Sequence, residues 1–364
     1  MIARALGVAV GILLVGTSAC WGSIRYTVQD LGSLGVWSVS PGALNELGWV
    51  AGYASPTGST VRAFLWRDAG MEALGTLGGS SSYGYGLNDA GWVTGVSYNH
   101  AFLWDGSEMK DLGTVPGGSS SSGFAINSVG KVAGYSYTSS TTQHAVLWDG
   151  ANVQDLGVPL GWRSSMALGI NDSDQIVGWG VSGYDSTGAV GRAWLWDGGA
   201  FTELGTLGGT QSSASAINKR GQVVGASTPT GQTNSEYGHA FLWDSGVMTD
   251  LGTLGGQSSR ARGVNDSGWV VGHSRTGSDV NVHAFVWDGT LMQDLNGLID
   301  PASGWKLTSA ADINNKGQIT GYGEWNGQGG HAFLLTPVVP ELPPTLLAAV
   351  LPLMGLCLRR FRRR

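Results

Sequence analysis

One position of a repeating pattern carries His100, His144, His239, His283 and His331. Imidazoles at equivalent positions of a ring are one way to hold a transition metal. Two further copies carry Arg62 and Arg192 there, and a guanidinium cannot ligate a metal at ordinary pH. Equivalent positions of neighbouring repeats also stand too far apart to share an ion. We read these side chains as structural donors to a neighbouring turn and expect no metal and no cofactor. The pairs Asn88-Asp89, Asn171-Asp172 and Asn265-Asp266 faintly resemble calcium loops, with Asn171-Asp172-Ser173-Asp174 the best of them. Other copies read Asn45-Glu46, Asn127-Ser128, Asn218-Lys219 and Asn314-Asn315. A position that accepts Lys and Ser as readily as Asp points to turn geometry, because calcium needs several converging oxygens.

The aromatic residues offer a different chemistry. Trp66, Trp104, Trp148, Trp196, Trp243 and Trp287 recur in one apolar segment and read as core. Trp37, Trp162 and Trp305 stand instead where other copies have Gly and Ser, in the loop after an Asp-Leu-Gly or Asp-Leu-Asn segment. Exposed there, they would stack on sugar rings; buried, each would fill a local packing gap. We carry these three as candidate ligand-binding residues. No Gly-x-Ser-x-Gly elbow, phosphate-cradling loop ending in Lys, or His-Glu-x-x-His motif occurs. The two cysteines, Cys20 and Cys357, lie in terminal segments, so the body of the chain has no thiol chemistry.

The elements that must hold these residues follow from the repeat. A well-formed copy runs from Asp250-Leu251-Gly252 through Val264-Asn265-Asp266-Ser267-Gly268 and Trp269-Val270-Val271-Gly272 to His283-Ala284-Phe285-Val286-Trp287-Asp288. The glycine closing the third segment recurs at Gly52, Gly95, Gly134, Gly178, Gly225, Gly272 and Gly321. Each copy offers four short strands, and Asn-x-x-Gly makes a tight turn between the second and third. The last strand is continuously apolar, as expected of one covered on both faces. With 61 Gly, 13% charged residues and 16 Trp, the composition opposes both long helices and a solvated disordered chain. We therefore expect an all-β fold, a β-propeller of seven four-stranded blades, with short targeting helices at the two ends. Copy seven lacks a closing Asp-Leu-Gly, and the chain opens with Tyr26-Thr27-Val28-Gln29-Asp30-Leu31-Gly32. That N-terminal strand is expected beside the last copy, closing the ring.

His-Ala-Phe at His100, His239, His283 and His331, with the Ile-Asn turn and the Val-Val-Gly segment, is similar to the bacterial extracellular HAF repeat family. The resemblance covers residues 26 to 336 and implies a location outside the cell without implying a reaction. The ends agree with it. Residues 1–22 read as a signal peptide: Arg4, an apolar run from Ala5 to Val15, then small residues. After the propeller region of residues 23–337, the segment 338–364 holds Val339-Pro340-Glu341, an apolar stretch from Leu346 to Leu358, and Arg359-Arg360-Phe361-Arg362-Arg363-Arg364. This resembles the PEP-CTERM sorting tail, with Val339, Pro340 and Glu341 as the motif and Leu342 in place of its second proline. The resemblance implies signal peptidase and an exosortase as partners and a transient transmembrane helix. The basic cluster would stay cytoplasmic, so the propeller would sit outside the bacterial inner membrane, extracellular or on the cell surface.

Six of the 20 basic residues lie in residues 1–22 and 343–364, leaving 14 against 26 acidic ones between them. Such a surface would repel phosphate backbones, so no nucleic-acid partner is expected. The sequence thus points to an exported, non-catalytic surface or matrix protein that binds polysaccharide or protein partners through propeller loops. The alternative is a glycan-active propeller enzyme with carboxylates in the central channel. A structural spacer in the envelope is the third reading.

Overall fold

The computed structural model describes residues 25–34, 38–57, 60–139, 141–185, 188–277 and 281–338. The expected signal peptide, the expected sorting motif at Val339, Pro340 and Glu341, the helices expected at the two ends, and Trp37 lie outside them. Thr27–Thr336 form one compact body. Of the second unit, Met1–Tyr26 with Pro337–Arg364, only Arg25, Tyr26, Pro337 and Val338 are described.

The body is a seven-bladed β-propeller of four-stranded antiparallel sheets. In blade 5 the strands run from the channel outwards as Gly208–Ile217, Val223–Pro229, His239–Asp244 and Val247–Asp250. The other blades repeat this order, so the sequence repeat and the blade are offset by one strand. Asp-Leu-Gly ends the outermost strand of one blade, and the Ile-Asn segment opens the next.

Blade 7 draws on both ends of the body. Its inner strands are Trp305–Ile313, Ile319–Trp325 and Gln328–Val338, and the outermost is Arg25–Asp30. The Leu31 N–H donates to the Ala332 carbonyl at 3.0 Å, and the Thr27 hydroxyl to the Thr336 carbonyl at 3.3 Å. Leu31 packs in one apolar cluster with Val39, Phe64 and Trp66 of blade 1 and Ala332 and Leu334 of blade 7. The closure expected from the missing Asp-Leu-Gly is the one observed. It leaves no unpaired edge where the two ends of the ring meet.

The third strand of each blade carries the core. Phe64, Phe102, Val146, Trp194, Phe241, Phe285 and Phe333 are all fully buried. The glycine of the second strand has a steric cause. A Cβ added at Gly225 would collide with the Ser213 carbonyl and the Ala214 Cα, and the equivalent glycines face the same carbonyl in their own blades. The backbone of the first strand comes this close because it is bulged. Its register slips one residue between Ala214 and Ala216 in blade 5, and at the same place in the other blades. A bulge re-aims one side chain away from the ladder. The seven bulged residues are Gly42, Tyr85, Phe124, Leu168, Ser215, Arg262 and Ala311.

Candidate functional site

The strand order gives the ring two different mouths. The tight Asn turns, between first and second strands, surround one mouth. The long loops between second and third strands lie at the other, together with the connections from outermost to innermost strand.

At the Asn mouth the turns are stitched into a circle. The Asn218 Oδ1 accepts from the N–H groups of Arg220 and Gln222, both at 3.0 Å. Its Nδ2 reaches the next blade and donates to the Asn265 carbonyl at 2.9 Å. Asn45, Asn88, Asn171, Asn265 and Asn314 repeat that step, and Asn314 closes the circle onto the Asn45 carbonyl at 3.0 Å. The residue after each Asn adds a second tie. The Asp89 carboxylate accepts from the Glu46 N–H at 2.8 Å, Asp172 from Ser128 at 2.9 Å and Asp266 from Lys219 at 3.1 Å. The Asp at this position therefore does more than suit a turn: it joins blades. In the segment Asn171-Asp172-Ser173-Asp174 the acids are already compensated. Asp174 lies 2.6 Å from the Lys131 ammonium, and Asp172 lies 3.4 Å from that of Lys219.

Further along the channel the bulge residues take over the wall. Tyr85, Phe124, Leu168, Ser215 and Arg262 share one cavity of about 200 Å³ with Asp312. The wall divides into two halves. Across blades 1 to 3 runs an unbroken arc of half-buried rings. Tyr85 stacks on Phe124 with centroids 5.1 Å apart, Tyr53 meets Tyr83 edge-on at 5.1 Å, and Phe124, Tyr135 and Tyr137 follow at about 6 Å spacings. Burial pushes the Tyr85 phenol up to about 12, helped by the neighbouring Tyr53, Tyr83 and Tyr135. It is thus a neutral hydrogen-bonding group at the edge of an apolar surface.

On the facing side, blade 6 makes the wall cationic. Arg260 pairs in register with His273, and its guanidinium donates to the Ser213 Oγ at 3.2 Å. Among the described residues no carboxylate lies within ion-pair distance of Arg260 or Arg262. Burial, reinforced by Arg262 and Arg260, pushes His273 down to about 4. It is therefore neutral at pH 7, in contact with the Ser309 hydroxyl at 3.4 Å. A second cavity, of about 400 Å³, opens beside the channel between blades 4 and 5, lined by Trp179, Val181, Gln211, Ser213 and Arg260. Leu168 belongs to both cavities.

Asp312 is the acid of the channel cavity. It replaces the Ala or Gly of other blades, and its Oδ1 lies where only the glycine at 263 leaves room. Both of its oxygens are engaged: the Leu44 N–H donates to one at 2.9 Å and the Ile313 N–H to the other at 2.8 Å. Burial, with Glu46 nearby, raises its pKa to about 6.

No family model matches the chain, and no curated protein does. Solved structures do resemble it. The β-propeller domain of the trilobed protease from Pyrococcus furiosus, which has an open velcro topology, aligns with a TM-score of 0.55 at 11% identity, over 85% of this chain and 93% of that one. A putative TolB from Agrobacterium tumefaciens aligns at 0.45 and 12% identity, over 87% of this chain and 100% of that one. The lectin SapL1, solved with alpha methyl fucoside, aligns at 0.34 and 13% identity, over 84% of this chain and 98% of that one. The likeness is one of fold. Unlike the Pyrococcus furiosus domain, this propeller is closed by its N-terminal strand.

The residues singled out in the sequence do not converge. Each of His100, His144, His239 and His283 faces the Asp eleven residues later, on its own blade's outermost strand. His239 Nδ1 stands 2.9 Å from Asp250, and His283 Nδ1 stands 2.6 Å from Asp294. In blade 7 the same bond joins His331 to Asp30 across the ring closure, at 3.3 Å. The partner is thus a strand carboxylate rather than a neighbouring turn. Where Arg stands instead of His the Asp is absent: Arg192 lies 3.6 Å from Glu203, and Arg62 donates to the Ser80 carbonyl opposite Ala73. Trp162 is half-buried against the core of blades 3 and 4. Trp305 stacks on Trp325 with centroids 6.2 Å apart, against His331 and Phe333 of blade 7. The two lie on different blades and share no contact. Sequence reasoning overlooked the bulge residues, although a signal was present: within an otherwise repetitive segment, one position reads Gly, Tyr, Phe, Leu, Ser, Arg and Ala in turn.

Proposed function

We propose that this chain is an exported, non-catalytic protein of the bacterial cell surface or extracellular matrix, whose propeller binds extracellular polysaccharide. The observation that carries the binding half is the aromatic arc of Tyr53, Tyr83, Tyr85, Phe124 and Tyr135. Tyr85 and Phe124 line the channel cavity, and Tyr53, Tyr83 and Tyr135, half-buried, continue their ring contacts. Exposed rings flanked by hydrogen-bonding groups suit the apolar faces of sugars. The similarity to HAF repeats, the signal peptide and the PEP-CTERM-like tail support export, through signal peptidase and an exosortase. A channel cavity of about 200 Å³ is smaller than the roughly 300–1,000 Å³ of common small-molecule pockets. It fits the end of a chain rather than a threaded polymer.

Asp312 speaks to the alternative of a glycan-active enzyme, since a carboxyl with a raised pKa is what a general acid needs. Both Asp312 oxygens hold backbone N–H groups, however, and the acids at the Asn mouth are tied in the same way. That geometry supports binding over hydrolysis. Affinity electrophoresis of the secreted protein through gels containing bacterial exopolysaccharides tests the reading. Retardation lost in Tyr85→Ala and Phe124→Ala is the expected result. Equal mobility with and without polymer, for every polymer tried, removes it.

A further inference from the structure

We propose that the channel cavity is built for an acidic sugar: the ring of a terminal uronic acid lies on the Tyr85–Phe124 arc, and its carboxylate meets Arg262, with Arg260 in the adjoining cavity. This names the ligand class of the site above and rests on the saccharide reading.

The argument begins with the two guanidiniums. Arg260 is half-buried and Arg262 is open to the lumen, and a half-buried guanidinium without a carboxylate partner is costly to hold. Here two stand two residues apart on one strand, where they repel each other. Arg262 sits at a bulge, the one device in the blade that aims a side chain into the lumen. Their field also acts on His273, which they and burial keep neutral. Blade 6 therefore presents two guanidiniums that no carboxylate pairs, on a body whose overall charge is negative. A carboxylate gains most from such a site, because a planar guanidinium can bind both its oxygens at once. Opposite stands the aromatic half, and the cavity between them suits one sugar ring. Leu168 links this cavity to the one lined by Trp179, Gln211 and Arg260, so a second sugar would have a place to go. Asp312 opposes an anion, but its oxygens turn to the Leu44 and Ile313 amides.

The test is calorimetric titration of the purified full-length secreted protein with three oligosaccharides matched in length: uronic-acid, neutral and sulfated. The uronic-acid oligosaccharide is expected to bind at least about tenfold tighter than the neutral one. Arg262→Gln should abolish that preference, so that the uronic-acid and neutral oligosaccharides bind within about twofold of each other. Equal affinity for acidic and neutral sugars, or an unchanged preference in Arg262→Gln, overturns the proposal while the saccharide reading stands. Preference for the sulfated sugar over the carboxylated one overturns the carboxylate assignment. No binding by any of the three overturns both readings. Should Arg262→Gln not fold, nuclear magnetic resonance of His273 in the parent protein decides. A bound carboxylate would offset the arginine field and raise its pKa, and an unmoved titration at saturating uronic-acid oligosaccharide refutes the site.

Discussion

The fully buried aromatic of the third strand shows how far one residue can depart from its repeat. Blade 4 has Trp194 where five other blades have Phe fully buried. The indole meets Phe201 edge-on at 5.0 Å, yet its Nε1 is buried without a hydrogen-bond partner. An orphaned buried donor costs about 1–3 kcal/mol, and truncating a core Trp usually costs about 3–5 kcal/mol. Trp194→Phe removes the orphan together with part of the volume, so the two effects oppose. We expect the variant within about 1 kcal/mol of the parent in urea denaturation. A loss of more than about 3 kcal/mol would mean that the indole's packing outweighs its unmet bond. At this scale much was readable beforehand. The core Trp and Phe positions were clear from the apolar run, and His and Asp alternate with Arg and non-Asp in step. What was hidden was the partner. A histidine's eleven-residue distance to an aspartate becomes a contact only once the third and outermost strands are paired.

Each blade depends on a close approach that the repeat glycine permits. Gly225 has a bulged carbonyl where its side chain would be, whereas Gly231, in a loop at φ +83, has nothing within 4 Å of an added Cβ. The two glycines answer different needs, one steric and one conformational. Gly231→Ala is expected to cost about 1–2 kcal/mol from the left-handed backbone alone. Gly225→Ala must displace the first strand and is expected to cost more than about 3 kcal/mol. Thermal unfolding of both variants checks the order, and a reversed order would remove the close-approach account. The existence, order and turn chemistry of the strands were readable from the sequence, because Asn-x-x-Gly and the apolar run recur with every copy. The bulge was not, since a one-residue slip leaves no local signature. Its only trace is the variability of the residue that it turns into the channel. The candidate site was missed for that reason: attention to what recurs passes over the one position that does not.

For the whole molecule, closure of the ring concentrates opposing charges at one seam. Blades 6, 7 and 1 bring together Arg260, Arg262, His273, Asp312 and Glu46, and two of these groups titrate far from their ordinary values. Burial, with Glu46 nearby, raises Asp312 from 3.8 to about 6. Between those values the folded protein holds this proton more tightly than the unfolded chain does, so Asp312 makes stability fall as pH rises from 4 to 6. Burial, with Arg262 and Arg260, lowers His273 from 6.5 to about 4. Here the unfolded chain takes up the proton first, so stability falls as pH drops from 6.5 towards 4. The two slopes cancel in part within one window. Asp312→Asn removes the first and leaves the second. Its melting temperature should therefore decline more steeply than the parent's on acidification from pH 6.5 to 4, with a differential on the order of 1–2 kcal/mol after screening by water in the lumen. His273→Gln should tilt the curve the other way. Parallel curves for parent and both variants would show that the seam carries no coupled charge. The cationic half of the channel would then have to be reassigned along with it.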